Sequence, residues 1–254
     1  MPAGVGLTSR VGDMHVKTSG TTVSGLALNG TIFVEADNTT VRDSDITVDG
    51  SQAGCSSPCG GKGIWVKPGV TGTVIEDVTC HGGAPTGEDV TEFCIQSNSA
   101  TTKVERVHFY NCVTCMAGPG EWRDSFVDQT GAEIPGNHYE DLYYGGGAGA
   151  LVVDHDTMLN PQGQTAVVFS SVDFGDLTGV TIADNLMAGG GYMIYGGQSG
   201  SGGEVLGPVS VTGNRFSRKY FPNGGYYGVD AHMKASVTTW SGNYWDETLA
   251  PVHA

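Results

Sequence analysis

Leu151-Val-Val-Asp-His-Asp-Thr-Met158 returns as Val180-Thr-Ile-Ala-Asp-Asn-Leu-Met187, as Val209-Ser-Val-Thr-Gly-Asn-Arg-Phe216 and as Thr238-Thr-Trp-Ser-Gly-Asn-Tyr-Trp245, each 29 residues after the last. Four columns hold step without slippage: Leu151/Val180/Val209/Thr238, Val153/Ile182/Val211/Trp240, Asp156/Asn185/Asn214/Asn243 and Met158/Met187/Phe216/Trp245. A fixed period of this length marks a repeat architecture, in which each unit buries its apolar face only against its neighbours. Each copy reads as a short strand, a polar bend and a second short strand. Alternate side chains of Leu151-Val152-Val153 share a side, at strand period, and β-branched residues suit a pleated surface. The Asn or Asp suits the bend, since its side chain bonds nearby backbone. If the copies stack, Asn185, Asn214 and Asn243 form a ladder of amides and the Met/Phe/Trp column forms continuous core. A helical reading fails on Gly189-Gly190-Gly191 and Gly196-Gly197, because glycine opposes helix.

Outward from these copies, the front half carries the same unit at looser spacing. Val41 has Ser44 and Ile46, Trp122 has Ser125 and Val127, and Val23 has Leu26 and Leu28; around Ile75 and Phe109 the pattern weakens. Irregular spacing implies loops inserted between strands, which in solenoids gather on one face, often the binding face. The 41 glycines in 254 residues fit a chain with several turns per coil. Residues 1–254 read as one domain, and the Gly/Ser-rich stretch 197–203 falls inside a repeat, as an exposed loop rather than a linker.

Composition sets the function classes. No run of 18 apolar residues exists, which leaves no membrane-spanning helix. Met1-Pro-Ala-Gly begins directly in turn-like sequence, the expected start of a mature secreted chain. Six cysteines in a β-rich chain favour an oxidising, extracellular setting. Fifteen pairings are open. Cys55-Ser-Ser-Pro-Cys59 and Cys112-Val-Thr-Cys115 also have the spacing of metal half-sites, although Cys112 falls on a strand-bend column where a core thiol or disulfide would serve. A net charge of −15 with twelve scattered Lys and Arg argues against nucleic acid. It also weighs against a strongly anionic ligand, unless Ca²⁺, the one cofactor the expected chemistry would call on, bridges the two.

The 29-residue coils with their Asn/Ser column resemble a right-handed parallel β-helix of the pectate-lyase-like superfamily. The opening "PAGVGLTSRVGDMHVKTSGTTVSGLALNG" and the closing "VTGNRFSRKYFPNGGYYG…WSGNYWDET" resemble a group of bacterial secreted β-helix proteins. The resemblance implies a polysaccharide lying along a lateral groove; it does not choose among lyases, hydrolases, epimerases and adhesins. Relatives of this group often carry a His-x-Asp-Gly-Ile-Gln run. Here the matching run is His138-Tyr139-Glu140-Asp141-Leu142-Tyr143, with Glu for Asp, Asp141 for Gly and Tyr143 for Gln.

Read from the residues alone, His138, Glu140 and Leu142 share one side of a strand, and Tyr139, Asp141 and Tyr143 the other. With Leu142 core-facing, His138 and Glu140 are expected to be partly buried and paired, and Asp141 and the tyrosines to face solvent. Such a set can move protons on a sugar; it can equally be a His–Glu pair capping a strand. His138, Glu140 and Asp141 are the catalytic candidates. Asp154-His155-Asp156 reads as bend. Asp230-Ala231-His232, near Tyr226 and Tyr227, is a second carboxylate–imidazole candidate, and Arg123, Lys219 and Tyr220 supply cation and ring contacts. A lyase needs a cation or Ca²⁺ plus a base, whereas a hydrolase needs two carboxylates flanking the bond. Tyr139, Tyr143, Tyr144, Tyr192, Tyr195, Tyr220, Tyr226 and Tyr227 lie outside the four core columns. A tyrosine offers a flat apolar face and a hydroxyl to a sugar ring, so these could form a sugar track. The expected function is cleavage of an extracellular polysaccharide by a monomer, since no heptad enforces a trimer. A non-catalytic polysaccharide-binding adhesin is the alternative.

Overall fold

A computed structural model describes residues 4–48, 61–83, 91–129, 138–147 and 149–254. Among them there is no helix, hence none long and apolar enough to cross a membrane. The strands form two sheets, of 17 and nine strands, with every strand-to-strand pairing parallel. Each coil lays two short strands in the larger sheet, turns, and lays one in the smaller, for example Leu151–Asp154, Thr157–Asn160 and Ala166–Ser170. This all-β arrangement of long parallel sheets is that of a β-solenoid.

The repeat columns are rungs. Val153 pairs with Ile182, Ile182 with Val211 and Val211 with Trp240. Met158, Met187, Phe216 and Trp245 follow one another in the same way. The first three of these are fully buried; Trp245 and Trp240 stand in the last coil, with no coil above them, and are partly exposed. Residues 246–254 fold back over that edge: Val252 donates its N–H to the Asn243 carbonyl at 2.9 Å, and the Trp240 indole donates to the Val252 carbonyl at 2.7 Å. A sheet edge covered in this way is closed to further strand pairing.

The asparagine ladder is present. The backbone N–H of Asn214 and its side-chain amide both donate to Asn243 Oδ1, at 2.9 and 3.0 Å, while Nδ2 also reaches the Ile182 carbonyl at 2.9 Å. Asn185 does the same to Asn214 and to the Val153 carbonyl. Asp156 N–H then donates to Asn185 Oδ1, Ser125 N–H to Asp156 Oδ1, and Val107 N–H to Ser125 Oγ. The residue before each rung carries the bend itself, in left-handed backbone: Asp43, Asp77, Arg106, Asp124, His155 and Asp184 have φ of 49–60°. Asp and Asn tolerate this region better than most residues. His155 is therefore a bend residue, as its sequence position implied.

The cysteine expectation resolves in part. Cys112 and Cys115 form a disulfide, so this pair is no metal half-site. Cys80 and Cys94 are buried free thiols. Cys55 and Cys59 lie outside the described residues.

Candidate functional site

The candidate strand, Glu140–Tyr144, belongs to the smaller sheet. Strands of this sheet do not alternate simply. In Lys62–Val66 and Tyr192–Gly196 the order is half-buried, buried, buried, half-buried, buried. Two consecutive residues therefore turn away from solvent. Leu142 occupies the second such position, paired with Met116 below and Val168 above. Asp141 occupies the first, in step with Cys115 and Val167, which are core residues.

This slip overturns the expected facing. Asp141 does not meet solvent: it is fully buried. Neither of its oxygens has a hydrogen-bond partner of good geometry; the nearby Gln129 amide is spent on the Val113 and Glu140 carbonyls. Burial pushes the Asp141 carboxyl well above the usual range, against the opposing pull of Gln129. A neutral acid in the core is the form that burial favours.

Glu140 is also buried, at 5% exposure. Its Oε2 accepts a 2.8 Å bond from Thr114 Oγ1. Burial outweighs the opposing pull of the Thr114 and Thr165 hydroxyls and pushes its carboxyl up to about 7. His138 is exposed rather than half-buried and is not paired directly with Glu140; its Nδ1 lies 2.8 Å from Thr165 Oγ1. That threonine belongs to the next coil. Thr165 has φ 47°. For a β-branched residue this is an outlier costing on the order of 1–3 kcal/mol. Its neighbours pin it there: Tyr192 N–H donates to the Thr165 carbonyl at 2.9 Å, and a Cβ on Gly191 would meet that oxygen at 2.8 Å. Glycine at 191 is what lets the next coil approach this bend.

Tyr143 is the half-buried, outward residue of its strand. Its hydroxyl donates to Asp173 Oδ2 at 3.0 Å, and Ser171 Oγ donates to the same oxygen at 2.7 Å. Burial, chiefly, pushes the Tyr143 phenol up to about 12. Tyr143 starts a row. It pairs with Phe169, and Phe169 with Tyr195, with ring centroids 5.4 and 5.0 Å apart. Tyr192 lies edge-on to Tyr195 at 5.5 Å, Tyr227 lies 5.6 Å from Tyr192, and His232 stacks on Tyr195 at 4.8 Å. Followed toward the N-terminus, the same outward row runs through Ala117 and Gln96 to Trp65, Phe33 and His15. There Lys67 and Lys62 place their ammonium groups 3.0 and 4.9 Å from the Trp65 ring centre. The smaller sheet therefore presents two aromatic patches separated by two small or polar rungs.

The other sequence candidates divide. Tyr144 is core, its hydroxyl donating to the Gly149 carbonyl, and Tyr139 is buried; neither can lie along a surface track. Arg123 stands in the larger sheet, held by Asp154 and by Glu121 at 3.5 Å, and brings no cation to the row. Lys219 is exposed beside the half-buried Tyr220, with its ammonium 5.1 Å from that ring. Asp230 pairs in register with core residue Ile194 and is half-buried, and burial raises its carboxyl. His232 leaves the strand in left-handed backbone, φ 56°, so two-residue spacing no longer sets it on the side of Asp230. No grouping of three or more His, Cys, Asp or Glu suited to a metal occurs among the described residues.

Sequence reasoning missed Phe33, Trp65 and Phe169, because it followed tyrosines rather than the one half-buried column of this sheet. It also missed a cluster on the larger sheet. His81 stacks on Tyr110 at 4.4 Å, with Nε2 3.2 Å from both Asp45 Oδ1 and Thr47 Oγ1, and His108 lies 5.1 Å from both Tyr110 and Phe126. Burial pulls on the His81 imidazole, but Asp45 and the Gly82 carbonyl outweigh it and raise its pKa; burial lowers that of His108. Their strand positions two apart, on neighbouring rungs, were legible only once the register was known.

Compared with protein-family profiles, curated proteins and solved structures, the chain matches none.

Proposed function

We propose that the protein is a secreted right-handed parallel β-helix of the pectate-lyase-like kind, and that it binds an extracellular polysaccharide along the outward face of its smaller sheet and cleaves it beside His138. The observation that carries this reading is the in-register row Tyr143–Phe169–Tyr195, continued by Tyr192, Tyr227 and His232. Rings repeated at the strand spacing of roughly 4.8 Å suit a polymer of flat, partly apolar units better than a single small ligand. The exposed imidazole of His138 and the buried carboxyl of Glu140 adjoin the same strand as Tyr143, and supply acid–base groups at the edge of that row. With Asp141 turned into the core, Glu140 is the one carboxyl of this strand left to act near His138, which supports proton abstraction better than hydrolysis, a reaction that calls for two carboxyls flanking the bond.

The test is a panel of polysaccharides with three readouts: absorbance of an unsaturated product, release of reducing ends, and binding. Elimination gives the first two, hydrolysis the second alone, and an adhesin binding alone. On a substrate so found, His138→Ala and Glu140→Gln should each lower turnover by about 10²–10⁴-fold, the usual cost of a lost acid–base group. Full turnover in both variants overturns the assignment of this strand.

A further inference from the structure

We infer that Phe174, Tyr143 and Asp173 form a subsite for one sugar unit, and that this subsite selects a neutral unit over an acidic one. The inference rests on the polysaccharide reading given above and names the kind of sugar it takes. Phe174 is the most exposed large apolar side chain among the described residues, at 76%. It does not stand alone. Its ring lies 6.4 Å from that of Tyr143 at an interplanar angle of 89°, and Tyr143 opens the row through Phe169 to Tyr195. Two rings at right angles offer a floor and a wall to the apolar faces of one sugar ring.

This corner is fixed in place. The backbone that carries Phe174 is tied to the coils on both sides. Phe174 N–H donates to the Gly145 carbonyl and Gly147 N–H to the Asp176 carbonyl, each at 2.9 Å, and Val172 N–H donates to the Ser199 carbonyl at 2.8 Å. An exposed ring on a fixed backbone meets a ligand without the ordering cost of a loose loop. Gly145 leaves it room: a Cβ there would meet the Phe174 ring at 2.6 Å and the Tyr143 hydroxyl at 2.7 Å. The backbone of Gly145 lies outside the left-handed region, so space and not conformation calls for glycine.

Asp173 supplies the polar edge. Its Oδ2 accepts from the Tyr143 hydroxyl at 3.0 Å and from the buried Ser171 hydroxyl at 2.7 Å, which fix the carboxylate beside the rings. Among the described residues nothing donates to its Oδ1, and the residue is exposed. A carboxylate only accepts, so it takes a hydroxyl proton from a ligand. An acidic sugar would instead bring it a second negative charge, with Asp176 and Glu204 on the adjoining loops. Among the described residues no lysine or arginine lies over Tyr143, Phe169 or Tyr195; Lys234, which borders the same loops, donates to the Val205 carbonyl at 2.7 Å. His138 precedes the strand that Tyr143 nearly ends, so the unit held here is not the one at the imidazole. A polymer eliminated at His138 then carries acidic and neutral units in one chain.

The test presents matched polymers to the full chain by isothermal titration. Polygalacturonate and alginate are used beside their carboxyl-reduced forms, and glucomannan and amylose beside forms oxidised at C6. The neutral member of a bound pair should bind about fivefold tighter or more, the worth of one like-charge contact near 4 Å in water. Asp173→Asn should bring the pair to within about twofold of parity. Asp184→Asn, which removes the same charge from a bend of the larger sheet, should leave the ratio as it is. Phe174→Ala should weaken the neutral member by about 2–10-fold. Three results overturn the subsite while the polysaccharide reading stands: tighter binding of the acidic member, a ratio that Asp173→Asn moves no more than Asp184→Asn does, or full affinity in Phe174→Ala. Binding of no polymer in the set overturns that reading, and the subsite with it.

Discussion

In the back half of the stack the rung after the bend is Asp156, Asn185, Asn214 and Asn243; in the front half the same rung is Ser44, Val78, Val107 and Ser125. An amide oxygen takes two N–H groups from the coil before it, and its NH₂ reaches a carbonyl across the bend, so each asparagine satisfies buried backbone in both directions. A serine covers one such bond, and a valine none. The coil lengths differ in parallel. From Val23 the paired rung steps to Val41, Ile75, Val104, Trp122 and Val153, at 18, 34, 29, 18 and 31 residues, whereas every step from Val153 to Trp240 is 29. The ladder goes with coils of one length, and its lapse goes with coils of unequal length. The buried carboxyls Glu140 and Asp141 lie where the two regimes meet, just before the first 29-residue repeat. Strict repetition thus looks after stability, and the departures from it hold the groups with chemistry.

The comparison can be broken most directly at the ladder. Asn214→Leu removes the acceptor of both Asn185 N–H groups and the donor to the Ile182 carbonyl, all of them buried. At about 1–3 kcal/mol for an orphaned buried group, and with some relaxation, the loss should be on the order of 3 kcal/mol in urea unfolding. Equal losses from Asn214→Leu and Ser125→Ala would mean that the amide column adds nothing beyond a serine.

Asp156 sharpens the same comparison, because it is the one acid in the column. Its Oδ1 accepts from Ser125 N–H, but Oδ2 is buried without a partner. In the copies above, Nδ2 fills that place by donating to a carbonyl, and by register the equivalent carbonyl here is that of Trp122. Burial pushes the Asp156 carboxyl up to about 8, where an unfolded aspartate titrates near 4. A group raised in the folded state contributes stability that is whole below its unfolded value and is lost as the pH rises through its folded value. Glu140 and Asp141 are shifted in the same direction. The protein should therefore be more stable at pH 5 than at pH 9, the window bounded by these values. Asp156→Asn should flatten that slope without removing it, and should stabilise the fold at pH 9 by roughly 2 kcal/mol. A variant less stable than wild type at pH 9 would show that the carboxylate is held charged in some way the ladder does not supply.

Much of this was legible in the sequence, and for a physical reason. A stack repeats one environment, so residues 29 apart meet the same constraint and carry the same answer; Val153, Ile182 and Val211 were placed on adjacent rungs by arithmetic alone. Facing within Glu140–Tyr144 was not legible. It depends on a local slip of alternation, and Asp141 reads as outward until Cys115 and Val167 are seen in step with it. Nor was Thr165, because its bond to His138 crosses from one coil to the next at a distance in sequence that matches no repeat. The same limit hid the stack of His81 on Tyr110.

The two aromatic patches of the smaller sheet offer the finest version of the comparison. The front patch, Phe33 and Trp65, is covered by Lys67 and Lys62, whose ammonium groups sit over the rings. Among the described residues no cation lies over the back patch, Tyr143, Phe169 and Tyr195, which is flanked by exposed Phe174 and Tyr227. A ligand reaching Trp65 must first displace a cation–π contact, worth about 0.5–1 kcal/mol at exposed sites, whereas Phe169 is open. If a polysaccharide lies along this face, Phe169→Ala should weaken binding by roughly 2–10-fold, in keeping with 0.5–1.5 kcal/mol for one aromatic contact. Trp65→Ala should weaken it less, because the gain from the ring is offset by the lysine it must release. Isothermal titration with the best binder from the panel measures both. A larger loss at Trp65 than at Phe169 would move the main contact to the front half, and would make the lysines part of the ligand site rather than its cover.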